Sequence, residues 1–147
     1  MDIIDIQSKA WPLKGHIERY CFENETIGLE MTRFHRIVIP FKPFDSGLVY
    51  VDQPEKTELV VEWVRQNLGD LSNLEEVDLS MGKNEGIEAS IYLGGTHNWT
   101  QLKRFLLTKT DTGFHVSCLA VIEFHREGVG EDEPFEFEAE AVYCGEG

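Results

Sequence analysis

The segment between residues 114 and 143 limits the fold more than any other part of the chain. Phe114, Val116, Cys118, Ala120, Ile122 and Phe124 occupy every second position. Beyond the loop Arg126-Glu127-Gly128-Val129-Gly130-Glu131-Asp132-Glu133, Phe135, Phe137, Ala139, Ala141 and Tyr143 do the same. Side chains in a strand alternate between two faces, so each run has one apolar face. Two such runs joined by a loop containing glycines read as an antiparallel hairpin. A register pairing Phe124 with Phe135, Ile122 with Phe137 and Val116 with Tyr143 sets apolar against apolar, and a slip of one residue would lose every such contact. In that register Glu123 faces Glu136, while Leu119 and Val121 stand beside Glu140 and Glu138.

Other segments alternate less regularly. Val77, Leu79 and Met81, then Ile87, Ala89, Ile91 and Leu93, predict a second hairpin turning at Gly82-Lys83-Asn84-Glu85-Gly86. Residues 17–22 and 27–39 read as strands joined by the turn Glu23-Asn24-Glu25-Thr26, with a short strand at 47–51. Leu59, Val60, Trp63, Val64 and Leu68 instead make a helical stripe, with Asp52 and Pro54 as start signals and Gly69 at the C-cap position. Trp99, Leu102, Phe105 and Leu106 share that helical spacing, although Asp111-Thr112-Gly113 would also suit a hairpin turn after a strand. The expectation is an α+β fold in a single globular domain, residues 1–147. It is mainly an antiparallel twisted β-sheet with one clear amphipathic helix over about 55–68 packed on it, and a second over about 98–109 if that segment is helix instead of strand.

Charge narrows the function. The chain has 147 residues with 27 acidic and 13 basic side chains, a net charge of −14. Such a surface repels phosphates, so neither direct nucleic-acid binding nor docking on anionic membranes is expected. Asp2 and Asp5 stand where a secretory signal would carry positive charge, and no apolar run is long enough to span a bilayer, so the cytoplasm is the expected location. Cys21, Cys118 and Cys144 are odd in number and contain no CxxC pair, which indicates neither a disulfide framework nor a zinc knuckle. Cys118, inside an apolar run, reads as a small buried thiol. No dinucleotide, P-loop, zinc-protease, nucleophile-elbow or EF-hand motif occurs, so no cofactor and no metal is expected. Gly94-Gly95-Thr96 lacks the lysine of a phosphate loop and reads as a turn.

The acids are unevenly placed. Residues 123–147 hold nine acids and a single arginine, more than half of the net charge. Period-two geometry puts Glu136, Glu138 and Glu140 on one strand face. Either that face merely keeps the protein soluble, or it receives a basic protein partner. In the second case Glu123, Glu136, Glu138 and Glu140 form the surface, Glu131, Asp132 and Glu133 its rim, and Leu119, Val121 and Val142 its apolar contacts. Arg33-Phe34-His35-Arg36 is the densest basic segment. Arg33, His35 and Arg36 could hold an anionic ligand or simply neutralise nearby acids, as could Lys103, Arg104 and Lys109. His115 and His125 would lie on one strand face about 33 Å apart, too far to share an ion. His125 with Glu123 and Glu136 offers a metal or acid–base trio, against the commoner reading of a solvated face.

In size, acidity and lack of catalytic signatures, the chain is similar to bacterial immunity proteins, which neutralise cognate toxins. It is similar also to phage-borne inhibitors that mimic nucleic acid. Both resemblances are compositional and carry no residue by analogy. They imply an acidic inhibitor of a basic toxin domain, or a nucleic-acid mimic blocking a nuclease or defence complex. The remaining class is a small enzyme or ligand-binding domain with an anionic-ligand or metal pocket. Apolar residues on both strand faces, such as Leu119 and Val121 opposite Ile122 and Phe124, call for cover by a helix or by a second copy in a homodimer.

Overall fold

In the computed structural model, which describes residues 3–83 and 86–146, the strands close into a barrel instead of an open sheet covered by helices. Eight strands follow in chain order: β1 (Gly15–Asn24), β2 (Leu29–Phe44), β3 (Glu55–Val64), β4 (Glu76–Asp78), β5 (Glu88–Leu93), β6 (Thr96–Thr110), β7 (Gly113–Ile122) and β8 (Glu133–Glu146). Seven of them form the ring β6-β5-β3-β2-β1-β8-β7, which closes where β7 pairs back onto β6, and β4 lies outside it against β6. Every pairing is antiparallel except β1 with β8, so the barrel is mixed. Among the described residues the one α-helix, α1 (Ile6–Lys9), is a single turn. No helix among the described residues is long and apolar enough to cross a membrane. Met1 and Asp2 lie outside the described residues.

The expected helix over 55–68 is largely strand, residues 98–109, open between helix and strand, are strand as well, and the α+β expectation fails with them. Residues 55–64 form β3, with Leu59, Val61 and Val64 fully buried inside the ring. Between the pairs Ile37–Val61 and His35–Val64, β3 carries one more residue than β2, which is a β-bulge. The bulge shifts the alternation by one position and places Trp63 at φ 64°, a left-handed conformation unusual for a bulky side chain. Residues 98–109 lie in β6, which gains an extra residue between the pairs Leu102–Ala120 and Arg104–Leu119. Its inward set accordingly changes from Thr100 and Leu102 to Phe105 and Leu107. Each bulge makes a period of two imitate the spacing of a helix.

The hairpin expected over 77–93 does not form. β4 pairs with β6, Val77 opposite Leu107, while β5 runs between β3 and β6. Asn84 and Glu85 of the expected turn lie outside the described residues. Residues 47–51 are loop instead of strand. That loop is tied down by Gln53, whose Nε2 donates to the Leu48 carbonyl, and by the buried Glu55 carboxylate, which accepts from the Ser46 hydroxyl and, at 2.8 Å, from the Gly94 N–H. The two strands expected over 17–22 and 27–39 are β1 and the first part of β2, joined by a 3-10 turn at Glu25–Ile27.

The C-terminal hairpin forms with a different register. Ala120 pairs with Phe135, Cys118 with Phe137 and Val116 with Ala139, four positions from the expected partners. The loop begins two residues early because Phe124 leaves the ladder for a 3-10 turn (Phe124–Glu127), closed by Gly128 at φ 72°. Phe124 stays fully buried there. A shift of four is even, so the faces survive: Phe114, Val116, Cys118, Ala120, Ile122, Phe135, Phe137, Ala139 and Ala141 line the interior. Burial in this core pushes the Cys118 thiol up to about 12. Around the ring, Ile17, Ile37, Ile39, Phe41, Ile91, Leu93 and Phe105 fill the remaining space. The N-terminal arm lies against the start of β8, with Ile4 and Ile6 fully buried in the core, and Leu68 joins the same core beyond the far end of β3.

Candidate functional site

The outer face of β8 is a row of carboxylates because its inner face is apolar at every second position. Glu136, Glu138 and Glu140 are 59%, 70% and 60% exposed along their side chains. Alternate residues of a strand stand roughly 7 Å apart, so the row is a regular ladder of negative charge. Opposite it on β7 are Leu119, Ser117 and His115, paired in register with Glu136, Glu138 and Glu140. The expected juxtaposition of Glu123 with Glu136 is therefore replaced by Leu119 with Glu136, a consequence of the four-residue shift.

The true register brings cations to the row. His115 sits between two acids, its Nδ1 3.0 Å from Glu140 Oε1 and its Nε2 3.1 Å from Glu138 Oε1. Only the imidazolium has a proton on each nitrogen to donate to both. The bond to Glu140 is the larger cause holding the His115 pKa above its ordinary value; partial burial opposes it, and Glu138 adds to it. From β6, Arg104 reaches across, with Nη2 2.8 Å from Glu136 Oε2 and Nε donating to Ser117 Oγ at 3.2 Å. Gln7 of α1 brackets the Glu136 backbone, donating to its carbonyl at 2.8 Å and accepting from its N–H at 2.7 Å. Beside the row lies an open cleft of about 540 Å³, with the arm residues Pro12, Leu13 and Lys14 on one side and His115, Glu138 and Glu140 on the other.

The other sequence candidates disperse. Glu133 is buried at the start of β8, accepting from the backbone N–H groups of Ile4, Asp5 and Ile6 at 2.7, 3.1 and 2.9 Å. Asp132 Oδ1 accepts from the His125 N–H at 3.0 Å within the hairpin loop, next to the exposed Glu131. Glu123 lies beyond the end of β7, with Arg126 Nη1 4.0 Å away. His125 is in the 3-10 turn and Glu136 is held by Arg104, so the alternative trio with Glu123 is not assembled. No group of three or more metal-ligating side chains occurs among the described residues.

The basic segment is divided by strand alternation. His35 is buried inside the barrel end, its Nε2 3.0 Å from the Tyr143 hydroxyl. Burial lowers its pKa, and the charges of Arg19 and Arg33 push the same way against a weaker backbone interaction with Gln66. Arg36 is outside, bonded to Glu18 at 3.0 Å, near Glu62 at 3.4 Å, and over the Tyr20 ring at 4.6 Å. Arg33 is exposed at the barrel end. These three do not converge on one ligand. Lys14 and Gln7 had no sequence signal, because their roles arise from an arm whose position only the closed barrel defines. No family model matches the chain, and neither does any curated protein or solved structure.

Proposed function

We propose that the protein is an acidic binding partner that blocks a basic protein domain, acting as an immunity protein against a toxin. The observation that carries this reading is the exposed ladder Glu136–Glu138–Glu140 on a rigid barrel wall, flanked on β7 by Leu119 and Val121. Carboxylates fixed on a strand steer a basic surface toward them, and the apolar neighbours supply contact area once it docks. Arg104 and His115 do not abolish this role: a partner guanidinium competes for the same oxygens and carries a fixed charge, whereas His115 loses its charge as pH rises. The surface comprises Glu136, Glu138 and Glu140, with Glu131 and Asp132 as its rim. Glu133 is occupied by the N-terminal arm.

A nucleic-acid mimic would need two long carboxylate rows, and one short ladder favours a local protein contact. The test is binding to the product of the neighbouring gene, compared for the native chain and Glu136→Lys/Glu138→Lys. Weaker binding with a flatter salt dependence is expected of the double variant. Unchanged affinity would remove this face from the interface, and a neighbouring metabolic operon in place of a toxin gene would remove the immunity reading.

A further inference from the structure

A second cleft, of about 340 Å³, lies across β3, β5 and β6, on another part of the barrel wall from the carboxylate ladder. Its lining includes Trp63 of β3, Trp99 of β6, and Glu62, Glu88, Ser90 and His97. β5 runs between the two tryptophan-bearing strands, which puts their backbones about 10 Å apart across it. Ser90, the register partner of Trp99, is small and leaves the floor low between the indoles.

The Trp63 wall is held in place. The bulge in β3 turns Trp63 outward, and edge contacts with Phe22, Phe34 and Tyr20 at 5.1, 5.2 and 5.9 Å hold its ring. Trp99 is 40% exposed, a large aromatic surface left open to solvent. The carboxylates give the cleft its charge. Glu62 and Glu88 are direct register partners, an arrangement of like charges that is destabilising unless a cation lies between them. Arg36 approaches Glu62, but among the described residues no cation pairs with Glu88.

Indole faces beside an uncompensated carboxylate attract a soft, weakly hydrated cation more than a neutral or anionic group. From this geometry we propose that the cleft between Trp63 and Trp99 binds an alkylammonium cation, with the indoles against its methyl or methylene groups and Glu88 supplying the counter-charge. That head group occurs both in free quaternary amines and in alkylated lysine side chains. The proposal is independent of the carboxylate ladder on β8.

The test follows the three indole N–H resonances of the ¹⁵N-labelled chain, with Trp11 on the N-terminal arm as internal reference. Titration with choline chloride should shift Trp63 and Trp99 saturably and leave Trp11 in place. The neutral isostere 3,3-dimethylbutan-1-ol, and sodium chloride at matched ionic strength, should shift none of the three. Glu88→Gln and Trp99→Ala should each weaken choline binding by roughly threefold to tenfold. Glu88→Gln is an exposed, isosteric change that keeps the test valid if Trp99→Ala fails to fold. A peptide bearing trimethyllysine that binds more tightly than choline assigns the site to a protein-borne cation, and the reverse order to a free amine. The proposal is overturned if neither cation moves the two indoles, if the isostere or glucose moves them as well as choline does, or if Glu88→Gln binds choline with native affinity.

Discussion

Glu133 and Ile4 are 129 positions apart in the chain and joined by a 2.7 Å hydrogen bond from the Ile4 N–H to the Glu133 carboxylate. The same carboxylate takes the N–H groups of Asp5 and Ile6, so one buried acid fixes the arm where it enters α1. Glu133→Ala would strip all three donors of their acceptor. A hydrogen bond to a charged group contributes ~1.5–3 kcal/mol, so a loss of at least about 2 kcal/mol is expected in urea denaturation. Hydrogen exchange at Ile4 and Ile6 should accelerate more than exchange in β2.

The two faces of β8 should respond oppositely to truncation. Phe137 faces the interior against Phe41 and Phe135, with ring centroids 5.5 and 5.0 Å away. Phe137→Ala should cost ~3–5 kcal/mol, a large part of a domain's usual ~5–15 kcal/mol. Exposed Glu138 should tolerate Gln within about 0.5 kcal/mol. Thermal denaturation of both variants checks the assignment, and a more damaging Glu138→Gln would mean that the faces are inverted.

His115 should titrate above the ordinary histidine value, because its protonated ring satisfies Glu140 and Glu138 together. The folded state binds this proton more tightly than the unfolded chain. The resulting stabilisation is complete below the unfolded pKa of about 6.5 and is lost as pH rises through the raised folded value. A proton NMR titration of the imidazole measures the value directly. In Glu138→Gln/Glu140→Gln the shift should collapse toward the unfolded value.

His35 has the opposite sign. Buried beside Tyr143 and repelled by Arg19 and Arg33, its ring is held neutral below the ordinary pKa. Stability from this source is present above about pH 6.5 and erodes as pH falls from there through the lowered folded value. Unfolding free energies measured from neutral to mildly acidic pH should fall more steeply for the native chain than for His35→Gln.

The local pattern revealed faces better than partners. In β7 and β8 the alternation of Phe, Val and Ala with polar residues identified the inner side correctly, even though the register was off by four positions. In β3 and β6 a single extra residue changed the phase, so buried Leu59 and Val64 fell on the helical stripe with Leu68, and Leu102 and Phe105 on the second one. The β-branched content of β3, with Thr57, Val60, Val61 and Val64, was the signal that favoured a strand. The ladder Glu136–Glu138–Glu140 was legible from period two alone. Its cations were not, since Arg104 and His115 reach it through pairings that depend on the bulge in β6 and the position of the hairpin loop.

The parallel seam between β1 and β8 governs when the native state can appear. Gly15 pairs with Ala141, so β1 has one edge unfilled until β8, which follows all the other strands in chain order, has left the ribosome. Contacts of such long sequence separation pay their loop-closure entropy late, which places this topology among slow folders, on the order of milliseconds to seconds. Until closure, β1 and β7 present bare edges that can recruit neighbouring nascent chains. Yield in the cell should therefore depend on translation rate and chaperone supply more than on the stability of the finished barrel.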